Sequence, residues 1–282
     1  MRTEIIENEE TSDQISRHMS RVARNVQGIG QDTDFLQLSQ KWLEAAIGHE
    51  AALNYTWLGR PIIQMPHDIY AMQEIIWSVR PDLIIETGIA HGGSLIMSAS
   101  ILAMLDYCDA VETGVSLDPK EAGRKVVGLD VDIRQHNREA IESHPMGHKI
   151  EMIEGSSIAP EVAAQVKSIA EDFQRVLIFL DSNHTHEHVL AELEAYAPIT
   201  TVGSYCVVWD TGVEDLPEGF CRDRPWGKGN NPKTAVWEYF RILEEEGRLG
   251  SDAQPLHFEK DKTIEHKIVV TAAPDGFLKR IK

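Results

Sequence analysis

The chain is short of three things, and each shortage excludes a class of protein. Its 3 cysteines, Cys108, Cys206 and Cys221, are odd in number and scattered. They give neither a disulfide framework nor a CxxC zinc site, and they suit a reducing compartment. Positive charge is scarce: 27 Lys and Arg stand against 45 Asp and Glu, for a net charge of −18. Such a chain is a poor partner for a nucleic-acid backbone or an anionic membrane. No unbroken apolar run nears the ~20 residues of a membrane span, so no span is expected. The start, MRTEIIENEETSDQ, lacks the apolar core of a secretory signal, and a cytoplasmic location is expected. The acidic runs Glu4–Glu10 and Glu244–Glu246 read as solvated faces.

What the chain does have is a core. Its 282 residues, 42% of them hydrophobic, suffice for one large domain with an appendage. Short apolar runs recur at Leu83–Glu86, Val126–Asp130, Ile150–Glu154, Val176–Asp181 and Tyr205–Asp210. Continuous rather than alternating apolarity marks strands covered on both faces, as in a parallel sheet. Helical spacing fills the intervals at Ser94–Leu105, Asn137–Ser143, Pro160–Phe173 and His186–Ala197. The alternation predicts a doubly wound α/β sheet. The terminal HKIVVTAAPDGFLKRI reads as a strand, a turn and a second strand closing the sheet with an antiparallel edge. The segment Asp106–Arg124 reads as a surface insertion. Residues 1–80 have amphipathic helical spacing and read as a helical cap or oligomerisation segment; residues 81–282 form the Rossmann-like domain.

Open sheets bind ligands beyond the carboxyl ends of their strands. The first such end is IETGIAHGGSL, with Gly88, Gly92 and Gly93 allowing close backbone approach and His91 and Ser94 beside them. Its GxxxGG spacing differs from the GxGxxG that seats a pyrophosphate. Glu86 on the strand would repel a phosphate but suits a cationic, amino-bearing ligand, which points to S-adenosylmethionine. Asp130 ends the next strand, where an acid can accept both ribose hydroxyls. Ser156, after the third strand, is a candidate adenine contact.

Asp181 and Asp210 end neighbouring strands, and two acids on one rim repel unless a cation or proton lies between them. Carboxylate oxygens suit Mg²⁺. Three histidines follow Asp181 within LIFLDSNHTHEHVL. On a helix His184 and His188 share a face and His186 does not, so the three cannot form one cage. His184, in the turn above the sheet, is the candidate general base; His186 and His188 read as helix-start or supporting residues. The long loop after Asp210 offers Arg224, Trp226, Asn230, Asn231 and Lys233, a polar and aromatic set suited to a hydroxyl-rich substrate such as a sugar.

RPDLIIETGIAHGGSL, VVGLDVDIR, LIFLDSNHTHEHVLAELEAYAP, GSYCVVWDT and RPWGKGNNPKTAV together resemble the cephalosporin hydroxylase family of methyltransferase-like proteins, over roughly Trp77 to Lys282. The resemblance implies a Rossmann-like methyltransferase sheet, S-adenosylmethionine and Mg²⁺. It carries cofactor binding onto Glu86, Gly88, Gly92 and Asp130 and metal ligation onto Asp181 and Asp210. The family often has an acid just before the second metal acid; here Trp209 stands there, so a ligand is missing or supplied by Thr211. The leading expectation is an O-methyltransferase acting on a sugar or glycosylated product, with Asp181 and His184 in the catalytic step and a homo-oligomer as the working form. A second is an Fe(II) oxygenase using Asp181, His184 and His188. A third is a non-catalytic partner protein that keeps only the fold.

Overall fold

A computed structural model describes residues 9–121 and 123–282. Most of the acidic run Glu4–Glu10 therefore lies outside the described residues. The chain opens with two helices, α1 (Glu9–Gln31) and α2 (Thr33–Gly48). Asp32 caps α2 by accepting from the Phe35 amide at 3.0 Å, which satisfies one orphan donor of its first turn. A small antiparallel hairpin, β1 (Tyr55–Trp57) and β2 (Arg60–Ile62), leads into α3 (Pro66–Val79). Pro66 starts α3 at its first turn, and Arg80, left-handed at φ 51 and followed by Pro81, ends it.

The five apolar runs become five parallel strands: β3 (Leu83–Thr87), β4 (Lys125–Asp130), β5 (Ile150–Glu154), β6 (Val176–Leu180) and β7 (Tyr205–Val208). Between and after them run α4 (Gly93–Thr113), α5 (Gln135–Glu142), α6 (Pro160–Ala170), α7 (His186–Tyr196) and α8 (Pro232–Glu245). The chain ends with β8 (Phe258–Lys260), α9 (Lys262–Ile268) and β9 (Phe277–Arg280). The sheet order is β5-β4-β3-β6-β7-β9-β8, with β9 antiparallel to β7 and to β8. The order reverses between β3 and β6, so the switch-point crevice opens beyond Thr87 and Leu180.

Strand side chains alternate between two buried layers. Ile84, Val126, Leu177 and Val207 pack against Ile75 and Ile76 of α3 and Leu95 and Leu102 of α4. Leu83, Ile85, Val127 and Ile178 pack against Val166 of α6, Leu193 of α7 and Val236 of α8. Each such side chain, withdrawn from water on a doubly covered sheet, contributes ~1.5–3 kcal/mol, which explains the unbroken apolar runs.

Two expectations change. The HKIVV stretch is not a strand: Lys262–Ile268 is α9, and the partner of β9 is β8. Asp261 caps this helix from the Thr263 amide at 3.0 Å, a start signal that outweighs β-branched content. Asp106–Arg124 is not wholly an insertion, because α4 runs on to Thr113. Asp106, 8% exposed, pairs with Arg124 at 2.5 Å and with Lys149 at 2.6 Å. Ile62, Met72 and Ile76, on the N-terminal side of residue 80, share the buried layer of β3 and β4. Helix α4 is by length and composition apolar enough to cross a bilayer. Half of that window is buried inside the protein, as a core helix against the sheet would be.

Candidate active site

Parallel register sets Thr87 beside Leu180, so Gly88 emerges next to Asp181. Gly88 adopts φ +89, and a Cβ there would lie 2.7 Å from the Asp181 carbonyl carbon. Only glycine meets both demands. A Cβ on Gly93 would lie 2.6 Å from the Pro61 carbonyl carbon, so the hairpin also closes on this loop. Asp130 organises the loop: its Oδ2 accepts from the Ile89 amide at 2.9 Å and the Ala90 amide at 3.3 Å. Arg60 donates to the His91 carbonyl at 3.0 Å and to Asn137 Oδ1 at 3.0 Å, and Asn137 donates to the Ala90 carbonyl at 2.9 Å.

These contacts frame a pocket lined by Gln64, Gly88, His91, Ser94, Asp130 and Asp181, among others. Glu86 lies behind it, 2% exposed, accepting from the Ser94 hydroxyl, with Oε2 left unpartnered among the described residues. Burial pushes its pKa up to about 8 against the pull of Ser94, so the lone form holds a proton at neutrality. Gly92 turns toward the Ile141 side chain rather than lining the pocket. Ser156 offers its carbonyl to the Ala159 amide at 3.0 Å. The buried hydroxyl belongs to its neighbour Ser157, 3.0 Å from His188 Nε2.

Among the described residues, the ligand-type side chains that converge are Asp181, His184 and Asp210, with ligand atoms within 4.8 Å of one another. Asp181 follows β6 directly. Asp210 sits one residue beyond Trp209 in a left-handed conformation at φ 55. His184 Nε2 stands 3.4 Å from Asp210 Oδ2. Burial and the charges of Asp210, Glu86, Glu192 and Asp68 all push the Asp181 pKa well above the usual carboxylate range. Among the described residues, no lysine or arginine forms an ion pair with Asp181 or Asp210.

The other two histidines go elsewhere. His186 Nδ1 meets Thr234 Oγ1 at 2.9 Å, tying α7 to α8. His188 Nε2 lies 3.0 Å from both Ser157 Oγ and Ser182 Oγ, and Ser182 donates to the buried Glu192 at 2.6 Å. The set Asp181, His184 and His188 is thus not assembled. Thr211 is turned away as well: fully buried, it donates its hydroxyl to the Pro274 carbonyl at 2.7 Å. Trp209 packs into the core against Phe179 and Phe277, at ring distances of 6.3 and 6.1 Å. An acid in that position would face apolar rings, not the rim.

The loop after Asp210 divides in two. Trp226 lies edge-on to His184 at 4.7 Å, and the Arg224 guanidinium lies 5.4 Å from the Trp226 ring centre. These two flank the site. Asn230, Asn231 and Lys233 instead build the loop. Asn230 Oδ1 accepts from the His186 amide at 2.9 Å. Asn231 is buried and caps α8 in a reciprocal capping box with Thr234. Lys233, 5% exposed, pairs with Asp215 at 2.5 Å.

Sequence reasoning passed over Gln64, whose Nε2 donates to Asp181 Oδ2 at 3.0 Å, and Asp68, a fully buried acid. Burial outweighs its hydrogen bonds from Ala272 and Thr271 and lifts its pKa to about 7. An acid in the first turn of a helix ordinarily reads as an exposed complement to the helix dipole, so its burial left no sequence signal.

A family model described as rhamnosyl O-methyltransferase/CmcI matches residues 49–281. The rhamnosyl O-methyltransferase of Mycobacterium leprae (strain TN) is 28% identical over 228 residues, covering 80% of this chain and 82% of that protein. The rhamnosyl O-methyltransferase of Mycobacterium tuberculosis (strain ATCC 25618 / H37Rv) is 27% identical over 229 residues, covering 80% and 78%. Among solved structures, the apo structure of CmcI-N160 superposes with a TM-score of 0.50 at 15% identity, covering 82% of this chain and 77% of that one.

Proposed function

The chain belongs to the rhamnosyl O-methyltransferase/CmcI family, and on that premise we propose that it is an S-adenosylmethionine- and Mg²⁺-dependent O-methyltransferase acting on a hydroxyl of a sugar or glycosylated product. The observation that carries the reading is the convergence of Asp181, His184 and Asp210 at the switch point, next to the Gly88 pocket. The residues fit a divalent cation: two carboxylates and an imidazole converge, and among the described residues no lysine or arginine forms an ion pair with either acid. They also fit an amino-bearing cofactor, since Glu86, buried behind the Gly88 pocket, keeps one carboxyl oxygen unpartnered among the described residues.

When bound, S-adenosylmethionine supplies an electrophilic methyl and the cation supplies Lewis acidity toward the acceptor oxygen. Asp181 and Asp210 are the oxygen donors that Mg²⁺ prefers, which leaves the imidazole of His184 for proton transfer. His184 Nε2, oriented by Asp210 and by the edge of Trp226, accepts the proton that the hydroxyl gives up as its oxygen takes the methyl. Asp130 and the Gly88–Gly92 loop position the cofactor, and Trp226 with Arg224 offers an apolar face and donors to the sugar. Most of the acceleration then comes from orientation and electrostatic positioning.

Isothermal calorimetry with S-adenosylmethionine and S-adenosylhomocysteine, with and without Mg²⁺, tests the reading. Micromolar binding of both nucleosides and metal-dependent methylation of a rhamnoside are expected. No binding of either nucleoside would sink it. An oxygenase reading draws no support, because the two-histidine set it requires is split between His184 at the rim and His188 on Ser157 and Ser182.

A further inference from the structure

The corner between β2 and α3, Gln64–Asp68, reaches both carboxylates at the rim. Gln64, 7% exposed, donates directly to Asp181 Oδ2 at 3.0 Å and so takes up one of its two oxygens. Asp68 reaches Asp210 indirectly. Its Oδ1 accepts from Thr271 Oγ1 at 2.5 Å and its Oδ2 from the Ala272 amide at 2.9 Å. The same short strap holds the turn after β7. The Ala272 carbonyl accepts from the Gly212 amide at 3.0 Å, and the Pro274 carbonyl accepts from Thr211 Oγ1 at 2.7 Å. Thr211 and Gly212 immediately follow Asp210.

Asp210 needs such support. Its φ of 55 is a left-handed backbone that L residues seldom adopt. Its side chain is 42% exposed, so side-chain packing does not supply the compensation. The hydrogen bonds on either side of it do: the Trp209 amide to the Leu180 carbonyl at 3.0 Å, and the strap contacts on the other side. Two carboxylates on one rim repel each other once both ionise, as ligation of a cation requires. Without a brace they spread apart, and any cation must then pull them back before binding.

We infer that Gln64 and Asp68 are positioning residues that together fix the separation of Asp181 and Asp210 for a divalent cation, Gln64 by direct contact and Asp68 through the 271–274 strap. The inference rests on the metal reading of Asp181 and Asp210. It differs from a plain anchoring role for α3 in what it perturbs. An anchor lost lowers stability alone, whereas a brace lost weakens metal binding in a protein that remains folded.

The experiment measures Mn²⁺ affinity by electron paramagnetic resonance of the free ion, on the full chain, with a urea midpoint for each variant. The variants are Gln64→Ala, Asp68→Ala, Asp68→Asn and Thr211→Val. Partners that orient metal ligands change affinity ~10–100-fold when removed, and a loss of that size is expected for Gln64→Ala, Asp68→Ala and Thr211→Val. Asp68→Asn should stay within a few-fold of wild type, because its amide oxygen still accepts from Ala272 and its amide nitrogen can donate to Thr271 Oγ1. If Asp68→Ala does not fold, Gln64→Ala and Thr211→Val decide alone. Wild-type Mn²⁺ affinity in those two folded variants overturns the brace while leaving the metal site standing. Absence of Mn²⁺ binding by the wild type would instead remove the metal reading, and the brace with it.

Discussion

Replacing Gly88 by alanine separates two costs that the site combines. Gly88 is left-handed and also presses against the β6 end; Gly93 presses against the hairpin without the left-handed backbone; Gly114 is left-handed at φ +71 with nothing within 4 Å. Gly114→Ala therefore reports the backbone alone. A left-handed L residue costs ~1–2 kcal/mol, and the stiffer unfolded chain returns ~0.4–1 kcal/mol, so the net loss is under about 1.5 kcal/mol. Gly93→Ala reports the clash alone, with Cβ 2.7 Å from Ile62 Cα; overpacking of this kind costs ~1–3 kcal/mol. Gly88→Ala carries both, and after the same unfolded-state return a net loss of about 1–4.5 kcal/mol follows. Its clash is with backbone at 2.7 and 3.1 Å, which no rotamer change relieves. Urea denaturation at equilibrium gives the three values. A Gly88→Ala loss no larger than that of Gly114→Ala would refute the close approach of the Gly88 loop to Asp181.

Three further outcomes are expected. The proton on buried Glu86 makes folding pH-dependent: its pKa rises from 4.5 unfolded to about 8 folded, so its stabilising contribution is complete below pH 4.5 and lost as pH climbs through about 8. Glu86→Gln should flatten a slope of order 1.4 kcal/mol per pH unit in denaturation curves between pH 5 and 8, and an unchanged slope would contradict the assignment. His184→Gln should cut kcat ~10²–10⁴-fold while Mn²⁺ affinity moves only a few-fold; a collapse of metal binding as large as the one expected for Asp181→Asn would make His184 a ligand and not the base. Trp226→Ala removes the ring edge beside His184 and the platform under Arg224, so acceptor KM should rise about tenfold for a loss of ~1.4 kcal/mol with calorimetric S-adenosylmethionine affinity unchanged.

The sheet was legible because parallel strands are buried on both faces and must read as unbroken Ile, Val and Leu. The rim acids were legible because they end those runs. Harder to see was whatever depends on long-range contact. Asn231 and Lys233 look like donors for a ligand, yet the fold spends them on a helix cap and an ion pair. HKIVV has strand composition, but the local cap at Asp261 wins. Trp209 looked like a lost ligand because the sequence does not say which way the residue after a strand points; its ring belongs to the core layer with Phe179 and Phe277. Gln64, Asp68 and Arg60 reach the site from elements 20 or more residues before the glycine loop, and no spacing rule announces them.

The crowding of carboxylates around Asp181 has a consequence for turnover under the proposed chemistry. Burial and the neighbouring charges of Asp210, Glu86 and Asp68 raise the Asp181 pKa, so positive charge nearby favours its ionised form. A sulfonium arrives charged and departs as a neutral thioether. Each methyl transfer thus withdraws a cation from the acids just as His184 gains one. The imidazolium formed at His184, 3.4 Å from Asp210, takes over as local counter-ion, and its discharge to solvent becomes the step that resets the pocket for the next cofactor.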